Sequence, residues 1–184
     1  MTRTSTTLKR VLAAAILTAV IFASCKKEGA GKNDLASGGA FIQFNTSSSF
    51  GGKNEFKSNT NEQSRVIKAN NASKTQITFT CVETNLPRLS TAQLTLLIPQ
   101  GATTSSGPIT GKFENGSSAA TQGQLLIGSS NAGSGAESYA SSTGNFTITK
   151  LTETEIEGSF NAVCVNYTTK TNITLTNGKF SGKF

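Results

Sequence analysis

Glu153, Glu155 and Glu157 occupy alternate positions, so on an extended chain their three carboxylates would stand on one face. Carboxylates grouped in that way could hold calcium or act as an acid and base pair. They fall, however, where Thr152, Glu153 and Thr154 separate two apolar segments and a hairpin has to turn, which makes them solvated side chains of that turn. Glycoside hydrolysis needs two carboxyl groups roughly 5–9.5 Å apart, one of them in apolar surroundings. Glu55, Glu62, Glu83, Glu114 and Glu137 are dispersed, and nothing beside them singles out a pair. The chain has no His, so neither a Ser-His-Asp nor a Cys-His arrangement nor an imidazole metal ligand can be built. A Ser-Lys dyad remains, and Ser73-Lys74 and Ser181-Gly182-Lys183 lack the Ser-x-x-Lys spacing. Trp is absent and the only tyrosines are Tyr139 and Tyr167, too few for a sugar-stacking platform. The expectation is a protein with no catalytic residues, no metal and no cofactor, and not an enzyme.

What must position the remaining side chains begins with an address. Arg3, Lys9 and Arg10 precede an apolar run over residues 11–23, the n-region and h-region of a secretory signal. At 13 residues the run is shorter than the roughly 20 needed to cross a bilayer as a helix. Ile21-Phe22-Ala23-Ser24-Cys25 then resembles the bacterial lipobox, with Phe22 where Leu, Val or Ile is usual. That resemblance implies cleavage before Cys25, a diacylglycerol thioether on its sulfur and a fatty acyl group such as palmitate on its new amine. Two or three such chains give stable membrane anchoring where one would be marginal. Residues 1–24 are thus expected to be a lipoprotein signal peptide, and residues 25–39 a lipidated Cys and flexible tether. Gly29-Ala30-Gly31-Lys32 lacks the first Gly and the Ser or Thr of a phosphate-binding loop and belongs to that linker.

The formal charge of +7 loses three basic residues with the signal, leaving 14 Lys and Arg against 10 acids, a net +4. These are scattered, with no basic run interleaved with aromatics, so a nucleic-acid partner is not expected.

Apolar residues make up 35% of the chain and charged ones 15%, while Thr, Ser and Asn together match the apolar class. That balance starves surface helices and suits strands and turns. Residues 75–82 alternate cleanly, with Ile77, Phe79 and Cys81 on one face. Residues 40–45, 65–69, 108–114, 123–127, 146–151, 156–166 and 171–184 also read as strands, and residues 92–98 as a strand covered on both faces or a short helix. Asn115-Gly116 and Asn177-Gly178 signal turns or bulges, and residues 129–142, mostly Ser, Gly and Ala, read as a mobile loop. About ten strand candidates predict an all-β domain over residues 40–184, an antiparallel sandwich or small barrel. A Gly-x-Phe pattern recurs at Gly111, Gly144, Gly158, Gly178 and Gly182 at irregular spacing. It is therefore no solenoid repeat; Gly permits a bulge or a close backbone approach, and the Phe two positions on fills the core.

The segments Gly144-Asn145-Phe146-Thr147-Ile148-Thr149, Glu155-Ile156-Glu157-Gly158-Ser159-Phe160 and Ile173-Thr174-Leu175-Thr176-Asn177-Gly178-Lys179-Phe180 resemble the C-terminal part of small Bacteroidota lipoproteins that carry a domain of unknown function. The Ser24-Cys25-Lys26-Lys27-Glu28 junction is similar to theirs. The resemblance implies an outer-membrane lipoprotein and a strand order, not an activity. The acidic cluster that in this group follows the lipidated Cys is replaced by Lys26, Lys27 and one acid, Glu28, leaving the periplasmic or surface side open.

With Cys25 consumed as anchor, Cys81 and Cys164 remain beyond the reducing cytosol, both on inward faces. Their expected state is a disulfide; two buried free thiols are the competing state. The functional expectation is a lipid-anchored envelope protein acting as a structural or interaction module on an unknown envelope protein. The alternative is a small barrel carrying an apolar ligand among its 11 Phe.

Overall fold

The structure is a computed structural model that describes residues 38–59, 63–71, 73–114, 119–131 and 135–184. The signal, Cys25, residues 26–37 of the tether and the Asn115-Gly116 turn lie outside the described residues. The described part is all-β. Its strands are β1 (Ala40–Phe50), β2 (Lys53–Lys57), β3 (Arg65–Asn71), β4 (Lys74–Asn85), β5 (Arg88–Pro99), β6 (Ile109–Phe113), β7 (Gln122–Asn131), β8 (Gly135–Leu151), β9 (Glu155–Val165) and β10 (Asn172–Lys183).

They form one sheet in the order β2-β1-β10-β9-β8-β6-β7-β5-β4-β3. All pairings are antiparallel except a short parallel contact between β6 and β7. β8 pairs with β7 over its first third, Gly135 to Ala140, and with β6 over Asn145 to Ile148. β6 is therefore a wedge driven between the two longer strands. Where they part, the buried Ser141 hydroxyl accepts the Leu125 N–H at 3.0 Å, replacing the missing ladder bond.

The ten strands curl until the two ends of the sheet meet. Gly39 bridges Arg65, with Ala40 N donating to Ser64 O and Val66 N to Gly38 O. Farther along, Ser58 N donates to Ile42 O, extending the β1–β2 ladder, and Asn59 N crosses to Val82 O of β4. Side chains complete the seam: Ser58 Oγ accepts from Ile42 N at 3.1 Å and Ser64 Oγ from Val82 N at 3.2 Å. The Asn59 amide both accepts from Thr84 N and donates to Thr84 O, standing in for a peptide unit of the absent strand. The result is a barrel-like closure.

Alternation dictates what lies inside. In β5, Ala92, Leu94, Leu96 and Ile98 are buried while Gln93, Thr95 and Leu97 are half-buried, so the apolar run at 92–98 is a strand. The interior holds a connected set of rings. Phe44 stacks on Phe56 at 5.0 Å and meets Phe160 edge-on at 6.1 Å; Phe160 in turn contacts Phe113 and Phe180, and Phe180 contacts Phe79. Outward positions of β4, β9 and β10 carry residues such as Gln76, Thr78, Ser159, Asn161, Thr174 and Lys179 rather than an apolar row.

Two expectations change. Residues 129–142 are not a loop throughout: the end of β7 and the first eight residues of β8 occupy most of them, because β7 and β9 pair with this part of β8 despite its small side chains. β2 arises from Lys53-Asn54-Glu55-Phe56-Lys57, whose single apolar residue, Phe56, is buried. The Asn177-Gly178 signal is a bulge, with Asn177 at φ 54° where the β9–β10 register shifts.

Candidate functional site

Polar chemistry gathers at the two ends of the barrel. At one end, the β1–β2 hairpin folds across the mouth and is pinned by two residues. Arg88 Nη1 donates to the carbonyls of Phe50 (3.3 Å) and Gly51 (2.5 Å), and Glu137 accepts the Gly51 N–H. Arg88 and Glu83 are both about 5% exposed. They reach the interior because the inward alternation Ile77, Phe79, Cys81 continues to Glu83, and that of Ser90, Ala92, Leu94 runs back to Arg88.

Glu83 Oε1 accepts from Lys53 Nζ at 3.1 Å and lies 3.3 Å from Arg88 Nη2. Arg88 Nε and Glu83 Oε2 have no hydrogen-bond partner among the described residues. Beneath them Ser90 Oγ donates to Ser129 Oγ at 3.0 Å. Tyr139 donates to Glu137 Oε2 at 3.1 Å and packs edge-on against Phe50. Desolvation first, then the Glu137 carboxylate, raises its phenol above the usual tyrosine range. The arrangement is a charged latch that fastens a Phe-bearing hairpin over the core.

The other end carries the domain's two termini. Gly38 N donates to Lys183 O and Phe184 N to Thr154 O. Here a cleft of about 620 Å³ opens between β3, the loop joining β5 to β6, and the β8–β9 hairpin. Its floor is Ile98, Leu151 and Ala102; Lys68, Asn70, Thr75, Gln100, Thr103, Thr152 and Glu153 line its walls. The Leu151 N–H donates to Thr104 Oγ1 at 2.9 Å, tying hairpin to loop.

The glutamate triplet divides as its turn dictates. Lys150 Nζ lies 2.5 Å from Glu155 and 3.6 Å from Glu157. Glu155 is held below the usual carboxylate range by this hydrogen bond and by the charge of Lys150, whose own ammonium is raised in turn. Glu153 carries no ion pair among the described residues and lines the cleft.

Cys81 and Cys164 are free, buried thiols, which corrects the expected disulfide. They lie on β4 and β9, strands that do not pair and are separated around the sheet by β5, β7, β6 and β8. Inward alternation buried both cysteines without bringing them together. Burial pushes each thiol up to about 12; for Cys81 the hydroxyls of Ser64 and Ser58 at the seam oppose that rise.

The buried Glu83–Arg88 pair had a signal in the sequence, two opposite charges at inward positions flanking one hairpin. The cleft had none, because its walls come from segments that only barrel closure brings together. Compared with known proteins, the chain matches no family model, no curated protein and no solved structure.

Proposed function

We propose that this chain is a lipid-anchored lipoprotein of the bacterial cell envelope, held in the outer membrane through Cys25, whose β domain is a non-enzymatic structural or interaction module for another envelope component. The observation that carries this reading is how the barrel's interior is used. Its phenylalanines pack against one another at ring separations of 5.0–6.5 Å, and the hairpin over one mouth is latched by buried charges. A barrel-like sheet filled by its own rings, with a polar exterior, suits display on a tether rather than chemistry. Gly38 is hydrogen-bonded to Lys183, so a tether from Cys25 joins the domain at the end that bears the cleft.

The test is Cys25→Ala. It is expected to abolish incorporation of labelled fatty acid and to leave an unprocessed precursor or a soluble secreted form. Fractionation with membranes at the normal processed size overturns the anchor. The carrier reading asks the same phenylalanines to line a void that their rings occupy. Native mass spectrometry of protein purified without added lipid separates the two readings, since a stoichiometric apolar adduct supports the carrier and a ligand-free mass supports the module.

A further inference from the structure

The cleft at the tether end is built from complementary groups. Lys68 on β3 and Glu153 on the β8–β9 hairpin place one cation and one anion on walls contributed by different elements. Lys68 Nζ sits 4.9 Å from the centre of the Phe184 ring, which holds the ammonium in place. Two carboxamides, Asn70 and Gln100, line the same cleft. The buried Thr75 hydroxyl donates to Asn70 Oδ1 at 2.8 Å, and Gln100 is fixed through its backbone N–H to Ser73 O at 3.0 Å. A carboxamide offers a donor and an acceptor side by side, the complement of a peptide unit. The apolar lining is the edge of the buried Ile98 and Leu151 side chains together with Ala102.

We propose that this cleft binds short peptides with free termini and small aliphatic side chains. Lys68 takes the carboxylate, Glu153 the ammonium, Asn70 and Gln100 the intervening amides, and Ile98 with Leu151 the side chain. The volume of about 620 Å³ lies within the range of small-ligand sites. A neutral saccharide is the weaker fit, because none of the lining residues is aromatic. The proposal goes beyond the envelope reading and does not depend on lipidation.

The probe is trialanine, titrated into 15N-labelled full-length protein carrying Cys25→Ala and followed by amide shifts. Saturable shifts confined to residues 68–75, 98–104 and 151–155 are expected, with a Kd on the order of 0.1–1 mM, as an open cleft and a small ligand allow. Lys68→Ala and Glu153→Gln should each weaken binding about tenfold, the size of one exposed charged contact, and N-acetylated, C-amidated trialanine, which loses both contacts, by about a hundredfold. Both substitutions are at exposed positions, and an unchanged amide spectrum away from the cleft verifies their fold. No saturable shift up to about 10 mM, equal binding of the capped peptide, or saturation by maltotriose in place of trialanine overturns the proposal.

Discussion

Gly158 lies directly across the β9–β10 ladder from Phe180, and a Cβ at Gly158 would overlap the Phe180 ring. The relation is reciprocal, because Gly178 lies across from Phe160 and a Cβ there would meet that ring. Two Gly-x-Phe segments, run antiparallel in this register, set each Phe over the other's Gly. The same register recurs where Gly111 on β6 faces Phe146 on β8. A ring can then lie flat over its neighbour strand and enter the crowded interior without displacing a side chain.

Gly158→Ala is accordingly expected to destabilise the domain by about 1–3 kcal/mol through overpacking, read as a lower urea midpoint with unchanged slope. Phe180→Leu placed in the same chain should cost less than it does in the parent, because the smaller side chain relieves the overlap. Strict additivity of the two changes would contradict the ring-over-glycine account.

How far such features can be read from residues alone follows from their range. The period-2 burial of residues 75–82 is local and was legible, as was the bulge at Asn177-Gly178. The Gly-x-Phe pattern was visible as core packing, whereas its register was not, since it depends on which strands become neighbours. The polar, one-Phe segment of β2 has too little alternation to announce a strand and is ordered by pairing with β1. Residues 135–142 carry loop composition, yet Gly135 to Ala140 pair with β7, and Ala140 and Ser141 with β9. Of the two barrel ends, the inward charges Glu83 and Arg88 lie on parts of β4 and β5 beyond the segments read from the sequence, and the cleft required closure.

At the seam, Ser64→Ala removes the acceptor of the Val82 N–H in a buried site. Losing one buried hydrogen bond costs about 0.5–1.5 kcal/mol. The loss should appear locally as faster amide exchange at Val82 and its seam neighbours, with Ser64→Thr the conservative control. Unchanged exchange at Val82 would mean that its N–H does not rely on Ser64.

The latch predicts non-additivity. Arg88→Met leaves Glu83 buried with the partly exposed Lys53 as its one counter-charge among the described residues, and breaking a buried pair from one side costs about 3–5 kcal/mol. Glu83→Leu in the same chain removes the stranded carboxylate, so the double variant should be more stable than Arg88→Met alone. A double variant less stable than Arg88→Met, by denaturant unfolding, would show that the pair is not coupled.

The buried thiols make stability fall in alkali. A thiol whose pKa is about 12 in the folded state and about 8.5 when unfolded binds its proton more tightly when folded. Its contribution is therefore fully present below about pH 8.5 and is lost as pH rises toward 12. Cys81→Ala and Cys164→Ala cost stability at neutral pH through lost packing, but each should flatten the decline between those limits. Independently, a thiol reagent at pH 8 should leave Cys81 and Cys164 unlabelled in the native protein and modify both after denaturation without reductant. If neither thiol reacts after denaturation, the two cysteines are paired and the free-thiol assignment fails.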